Sequence, residues 1–240
     1  MKETETWTTP QRILVILAHP DDPEFFCGAT LARWTDAGHQ VVYWLLTCGD
    51  KGASDPDTNP GELCGDRRGE QRAAAAVLGV YEVNFMDNPD GYLVPDLALR
   101  KEVTRIIRKE RPDVLVTCDP RTLIVGDIRI NHPDHRAAGQ VVLDAVFPAA
   151  GNPLYFPELL RGEGLQPHTP REVWISGTLD PNVHHDVTDL WERKIRAIQQ
   201  HASQIGAPEG LAERMRSRHT ADSTPEAPRY EEVFRRVLLS

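Results

Sequence analysis

Ile13-Leu14-Val15-Ile16-Leu17-Ala18-His19-Pro20-Asp21-Asp22-Pro23-Glu24 joins an apolar run to a crowd of acids. The opening five residues are uncharged and rich in β-branched side chains, and a proline bounds them. This is the pattern of a strand buried on both faces, as in a parallel sheet. The strand then delivers one histidine and three carboxylates within residues 19–24. Packed together, such carboxylates repel, and each is driven toward protonation. A divalent cation removes that cost, so residues 18–24 are the first candidate for chemistry.

Outward from this stretch, strands and helices alternate. Phe25 to Ala37 has helical character and stops at Gly38. Val41 to Thr47 reads as a second buried strand, and Cys48 to Cys64 as a loop long enough to be functional. Asp66 to Leu78 is a helix closed by Gly79, Tyr81 to Met86 a short strand, and Asp87 to Gly91 a turn-rich loop. Leu97 to Arg108 is an amphipathic helix broken by Arg111-Pro112-Asp113. Val114 to Thr117 is another buried strand, and a helix runs from His132 as far as Val146. Glu172 to Thr178 is a late strand and Leu190 to Gln200 a helix, while Pro208 to Ser217 and Tyr230 to Leu238 read as terminal helices. All-apolar strands alternating with helices predict an α/β fold, with a mostly parallel sheet covered by helices on both faces through right-handed crossovers. Without repeat or linker, residues 1–240 form a single domain. Residues 1–10 are expected to be flexible, and the Pro- and Gly-rich stretch 147–170 to be a structured loop acting as a lid or an oligomer contact.

A net charge of -9, with no Lys/Arg block beyond pairs such as Arg67-Arg68, argues against nucleic acid as a partner. No apolar run approaches the roughly 20 residues of a membrane span, and residues 1–11 lack the apolar core of a signal peptide. The four cysteines, Cys27, Cys48, Cys64 and Cys118, show neither CxxC nor regular spacing. They read as reduced thiols of a cytoplasmic protein.

A catalytic zinc takes three protein ligands and keeps an open position. His19 and Asp22 stand three residues apart just past a strand end, and His135 opens a helix after the strand at 114–117. If those strands are neighbours at the switch point of an open sheet, His19, Asp22 and His135 can meet around one ion. Asp21 is then left free to take a proton from water. His132 can face the substrate, steadying an oxyanion or protonating an amine, with Asp134 orienting its ring. Either His cluster alone reads as structural; the two together, each with carboxylates at a strand end, read as a site. A metal-free hydrolase lacks a Ser or Cys nucleophile elbow here, and a dinucleotide fold lacks GxGxxG. Arg67 and Glu70 read as a solvated helical pair, with a role in holding hydroxyls left open. His39, His168 and His219 read as exposed loop or helix-end residues, His184-His185 as metal-like in composition but without a second pair to support it, and His201 as a helix-end imidazole favoured by the dipole.

At these residues the chain resembles the LmbE-like, or PIG-L-like, family of zinc-dependent N-acetylglucosamine deacetylases. The resemblance rests on Ala18 to Glu24, Arg67 to Gly79, Pro89-Asp90-Gly91 and His132-Pro133-Asp134-His135. A weaker likeness lies at Lys194, Ala197 and His201 to Gln204. It implies a Rossmann-like sheet, zinc (or iron or manganese, which suit the same donors) on His19, Asp22 and His135, and Asp21 as general base. His132 is implied as electrostatic stabiliser or acid with Asp134 as its partner, and Arg67 and Asp90 as contacts to sugar hydroxyls. The implied substrate is a small N-acetylated amino sugar, of the chitobiose type, acted on by a homo-oligomer. Thiol conjugates of the mycothiol or bacillithiol type, or a non-catalytic sugar- or metal-binding module, are the alternatives. Mycothiol-pathway members carry a tyrosine where this chain has Ile130. Glu24 has no assigned role beyond supporting the ligands or capping the following helix.

Overall fold

Once buried, the backbone amides and carbonyls of residues 13–17 need partners, and two parallel neighbours supply them. The computed structural model describes residues 7–126, 128–224 and 226–239. Within these, the chain runs β1 (Arg12–Leu17), α1 (Asp22–Asp36), β2 (Gln40–Thr47), α2 (Pro60–Leu78), β3 (Glu82–Asn88), α3 (Leu97–Glu110) and β4 (Val114–Cys118). A small hairpin follows, β5 (Ile124–Val125) and β6 (Arg129–Ile130), then α4 (Pro133–Asp144), α5 (Pro157–Arg161), β7 (Glu172–Ser176) and β8 (Val183–Asp186). The last elements are α6 (Trp191–Ile198), α7 (Ala202–Ile205), α8 (Pro208–Arg216) and β9 (Glu231–Leu238).

The main sheet has seven strands in the order β3-β2-β1-β4-β7-β9-β8, parallel from β3 to β7 and antiparallel at β9 and β8. Helices α1, α2 and α6 pack together, and α3 packs with α4. The expected α/β class with a mostly parallel sheet therefore holds. The chain leaves β1 in one direction through β2 and β3, then returns through β4 on the other side of β1. The β1/β4 seam, with Ile13 opposite Val114 and Val15 opposite Val116, is the switch point.

Three expectations need correction. Residues 230–238 are not a helix. The apolar spacing at 230, 233, 234, 237 and 238 fits a helical period, but β7 would leave an open sheet edge that only an extended strand can satisfy. In β9, Phe234 and Glu232 then alternate into the core, opposite Val183 and His185. Second, α2 begins six residues before Asp66, because Asn59 caps it by accepting from the amides of Gly61 and Glu62. That places Cys64 against Cys48, and the two form a disulfide with Cα atoms 5.2 Å apart, while Cys27 and Cys118 are free and buried. The reading of four reduced thiols is thus wrong for two of them. Third, the segment following residue 6 is anchored: Trp7 donates from Nε1 to Glu172 at 2.9 Å and packs on Trp34 and Trp174. The expectation for residues 1–6 lies outside the described residues.

The 147–170 stretch is held onto α3 by buried Arg108, which donates to the carbonyls of Ala149, Ala150, Asn152 and Tyr155 at 2.9–3.1 Å. Among the described residues no helix is long and apolar enough to cross a membrane.

Candidate active site

The turn after β1 is bent by Asp21, whose φ of 86° is left-handed and costly for a residue with a Cβ. Its amide is held there by a 2.8 Å bond to the side-chain oxygen of Gln71 on α2. The next residue, Asp22, opens α1 and accepts from the His19 amide at 2.8 Å. Across the β1/β4 seam, α4 brings in His135. Gly139, one turn further on, makes this approach possible: a Cβ there would lie 2.2 Å from the Cys118 carbonyl oxygen.

Asp22 sits between the two histidines, with Oδ1 2.9 Å from His135 Nε2 and Oδ2 3.4 Å from His19 Nδ1. These donors all lie within 4.8 Å of one another, as ligands of one small ion must. The outward nitrogens are fixed. Asn131 Oδ1 takes the His135 Nδ1 proton at 2.9 Å, and Asp134 Oδ2 (3.3 Å) and Asp90 Oδ1 (3.1 Å) face His19 Nε2. The nitrogen of each ring that faces Asp22 is thus the one that would ligate an ion, with an oxygen acceptor behind the other, as in a metal-binding imidazole. The electrostatics also call for a cation. Burial disfavours charge on His19, yet Asp22 and the carboxylates of Asp134 and Asp90 hold its pKa well above the ordinary value. Burial likewise disfavours charge on Asp22, but His135 and His19 keep it ionised far below the usual carboxylate range. The residues fit a divalent ion.

Asp21 differs from its neighbour. Burial and then the Asp22 charge push its carboxyl up to about 6, against the pull of Arg67. Arg67 is buried and donates to the Pro20 and Gly49 carbonyls at 2.8 and 2.9 Å, with Nη2 3.4 Å from Asp21 Oδ2. The loop fits around it only with glycine: a Cβ on Gly49 or Gly52 would lie 2.1 or 2.4 Å from its guanidinium. The side chain therefore braces the Asp21 turn besides lining the cleft. Its expected pairing with Glu70 is absent; Glu70 instead accepts from the Ser203 amide and hydroxyl at 2.7 Å.

His132 caps α4, its Nδ1 accepting from the Asp134 amide at 3.2 Å. The ring proton is thereby assigned to Nε2, which faces Asp90 Oδ1 at 3.9 Å. Burial, and then the His19 charge, lower its pKa, so the ring is a neutral donor facing the cleft. The expected role of Asp134 as orienter of this ring is not what the geometry shows. Its carboxylate is fully buried on His19 and on the amides of Gly91 (2.7 Å) and Leu93 (3.1 Å), so it fixes the His19 ring and the loop after β3 instead.

Two further departures lie behind the site. Glu24 is buried and accepts both from Gln71 Nε2, at 2.9 and 3.0 Å, and from His201 Nε2 at 3.2 Å. His201, read as a helix-end imidazole, is wholly buried and held by a carboxylate. Gln71 thus links Glu24 to the Asp21 amide. Sequence reasoning missed Gln71 and Asn131. Gln71 falls four residues after Arg67, on the same helix face, and that spacing was a usable signal; Asn131 carried none. His184 pairs with Glu231 at 3.1 Å, and His185 is buried among Trp34, Trp174 and Phe234.

Burial lowers the His201 pKa, but Glu24, with Asp21 and Glu70 adding, raises it overall. A raised imidazole pKa contributes stability that is full below the unfolded value of about 6.5 and is lost as pH rises through the folded value. His201→Asn should therefore destabilise more at a pH of about 6 than at about 9. Urea midpoints of both proteins at the two pH values check this, and an equal or larger loss at the higher pH contradicts it.

The cleft over these groups has a volume of about 660 Å³ and is lined by His19, Asp21, Arg67, Asp90 and His132, with Phe25, Phe26 and Ile130 among its apolar walls. Fold and site define an α/β protein with a His₂–Asp group that could hold a cation, a further carboxylate and a neutral imidazole at the switch point. The chain belongs to the PIG-L family: the family's model, described as GlcNAc-PI de-N-acetylase, matches residues 14–146. It is 37% identical to a diacetylchitobiose deacetylase of Thermococcus kodakarensis, over 85% of this chain and 74% of that one. It is 29% identical to a 1D-myo-inositol 2-acetamido-2-deoxy-alpha-D-glucopyranoside deacetylase of Saccharopolyspora erythraea, over 82% and 85% of the two chains. The structure of N,N'-diacetylchitobiose deacetylase from Pyrococcus horikoshii superposes with a TM-score of 0.84 at 31% identity, covering 95% of this chain and 84% of that one.

Proposed function

We propose that this protein is a metal-dependent deacetylase that hydrolyses the N-acetyl group of an N-acetylglucosamine unit in a small glycoconjugate of the chitobiose type. The observation that carries the proposal is the junction of His19, Asp22 and His135 with a free Asp21 in one cleft. A divalent ion held by His19, Asp22 and His135, zinc for preference and iron or manganese on the same donors, supplies Lewis acidity toward the amide carbonyl. Asp21, with its pKa pushed up to about 6, takes the proton of the attacking water and stays charged at neutral pH. Arg67 and Gln71 hold it by its carboxylate and its amide. The Nε2–H of His132 is the donor for the oxygen that gains charge. Asp90 is open to the cleft for a sugar hydroxyl, and Arg67 lines the same wall.

Ile130, which is 73% exposed and lines the cleft, supplies an apolar surface where a tyrosine would supply a hydroxyl. That favours a sugar disaccharide over the thiol-pathway substrate. Exposed Phe147, Leu154 and Tyr155 support assembly into a homo-oligomer.

Acetate release from N,N'-diacetylchitobiose should stop on chelation and return when zinc, iron or manganese is added. His135→Ala should lose stoichiometric metal, measured by elemental analysis of the desalted protein; one ion per chain in that variant would disprove the ligand set.

A further inference from the structure

The loop between Cys48 and Cys64 reaches further into the site than its exposed, polar sequence suggests. Residues 48–59 form neither helix nor strand, and residues 53–57 are exposed. Its internal bonds are short-range: the Gly52 amide donates to the Gly49 carbonyl and the Thr58 amide to the Asp55 carbonyl, both at 3.1 Å. Such bonds shape a loop but do not anchor it to the body. Contacts that do anchor it converge on the cleft. The Gly49 carbonyl accepts from Arg67 Nη1 at 2.9 Å, Asp50 Oδ1 accepts from the Asp90 amide at 2.9 Å, and Lys51 Nζ stands 4.9 Å from the centre of the Tyr92 ring. Arg67 in turn lies 3.4 Å from Asp21 Oδ2, and Asp90 Oδ1 lies 3.1 Å from His19 Nε2. One loop therefore holds both the brace of Asp21 and the wall that presents Asp90.

The disulfide sits at the root of this loop. Cys48 is buried and immediately precedes Gly49. Cys64 is partly exposed and lies on α2 one turn before Arg67, on the same helix face. The bridge thus sets the distance between the Gly49 carbonyl and the guanidinium that donates to it. Two thiols cannot stand at S–S bonding distance, so reduction parts the chain at Cys48 from α2. The shift falls on Gly49, whose φ of 71° is a conformation that glycine enters and leaves at little cost. The Arg67 side chain fills the space that a Cβ on Gly49 or Gly52 would need, so the loop cannot shift far without moving the guanidinium. Cys27 and Cys118 are buried and unbridged, which leaves Cys64 as the sulfur that a soluble thiol meets.

We propose that the Cys48–Cys64 disulfide is a thiol-sensitive clasp on the active site, closed and active when oxidised, slack and less active when reduced. This rests on the deacetylase reading for what the site does. The reductant is a dithiol. Its thiolate attacks Cys64 Sγ, the S–S electron pair leaves on Cys48 Sγ, and that sulfur takes a proton. The second thiol of the reductant then attacks the mixed disulfide and releases Cys64 as a thiol. Two electrons and two protons pass to the protein, and the reductant becomes a disulfide; the reverse exchange closes the clasp. Loss of the Gly49–Arg67 contact acts on Asp21 and so on kcat. Loss of the Asp50–Asp90 bond acts on the wall that meets the sugar and so on KM.

The test equilibrates the metal-loaded protein and a Cys48→Ser/Cys64→Ser double variant with graded ratios of dithiothreitol to its oxidised form. Alkylated thiols counted by mass, metal content, kcat and KM for N,N'-diacetylchitobiose, and amide exchange at residues 49–58 and 88–95 are followed together. In the unaltered protein kcat/KM should fall by about tenfold as the two additional thiols appear, with KM rising and kcat falling, and should return on reoxidation. Exchange at both segments should quicken by about tenfold. The double variant should show the low kcat/KM and the fast exchange at every ratio, which also separates opening of the clasp from removal of metal by the dithiol. A reduced protein with one ion per chain and unchanged kcat/KM overturns the clasp, whatever its Tm, because a bridge that only stabilises the fold moves melting alone. A loss of activity that the dithiol produces equally in the double variant overturns it too. Should neither protein release acetate, thiol-dependent exchange at 88–95 upholds the clasp and refutes the deacetylase reading, whereas exchange indifferent to the dithiol overturns the clasp.

Discussion

Asp21→Asn should lower kcat for acetate release by roughly 10²- to 10⁴-fold, the range for a positioned general base, while the chain still takes up one metal ion. Asparagine has the same shape, and its backbone amide still donates to Gln71. What it loses is the ability to accept a proton from water. The unaltered enzyme should show an acid limb, with activity falling as Asp21 is protonated on going down through a pH of about 6. A bound cation moves that limb lower, because positive charge favours the carboxylate. The variant should show no such limb. Stability should move the other way. A carboxyl whose folded pKa is raised from 3.8 to about 6 costs the metal-free fold stability at every pH above that window. The cost is on the order of 3 kcal/mol and vanishes below the unfolded pKa. The metal-free variant should therefore melt higher at pH 7, an exchange of stability for function common at active sites. Turnover within a few fold of the unaltered enzyme would remove Asp21 from the mechanism.

The candidate ligands are legible in the sequence because they are anchored in local patterns. His19, Asp21 and Asp22 end a strand that is apolar throughout, and His132 to His135 begin a helix after another. Buried parallel strands leave few choices for where their ends converge, so three candidate ligands on two motifs could be matched to one seam. What was illegible depends on residues distant in sequence. Glu24 looks like a helix-start carboxylate until His201 and Gln71 are seen around it. Asp134 looks like the partner of the adjacent His132, yet the loop after β3 and His19 claim its oxygens. Residues 230–238 fit both periods, and only the open edge of β7 decides between them. The Cys48–Cys64 pairing follows from the early start of α2, which Asn59 sets through a cap of ordinary appearance.

The largest stability effect is expected where that distance dependence is strongest, at Lys194. Helix α1, which presents Asp22, is interrupted at Cys27, with φ -148° and ψ 20°. An interruption frees helix amides and carbonyls inside the core, where each unpaired group costs roughly 1–3 kcal/mol. Glu232 of β9 takes the amides of Ala29 and Thr30 at 3.1 and 2.7 Å, and Lys194 of α6 donates to the Phe25 carbonyl at 2.9 Å. The two bridges join at 2.6 Å, with side chains only 3% and 2% exposed. Both partners lie beyond residues 14–146, so the C-terminal part of the chain stabilises the N-terminal motif. Lys194→Ala leaves a buried carboxylate without its counter-charge and the Phe25 carbonyl without its donor, which should destabilise by about 3–5 kcal/mol. For a chain of this size that lowers Tm by roughly 10 °C, measured by thermal denaturation at fixed metal content. Metal affinity should fall as well, because the start of α1 is held less firmly. Adding Glu232→Gln to Lys194→Met should recover most of the loss. The buried charge is then gone, and the amide oxygen still accepts from Ala29 or Thr30 while its NH₂ can reach toward the space left by the ammonium. A Lys194→Ala protein melting within about 2 °C of the unaltered one would show that the break in α1 is satisfied without this pair, and a double variant no more stable than Lys194→Met alone would show that the unpaired Glu232 charge is not the source of the loss.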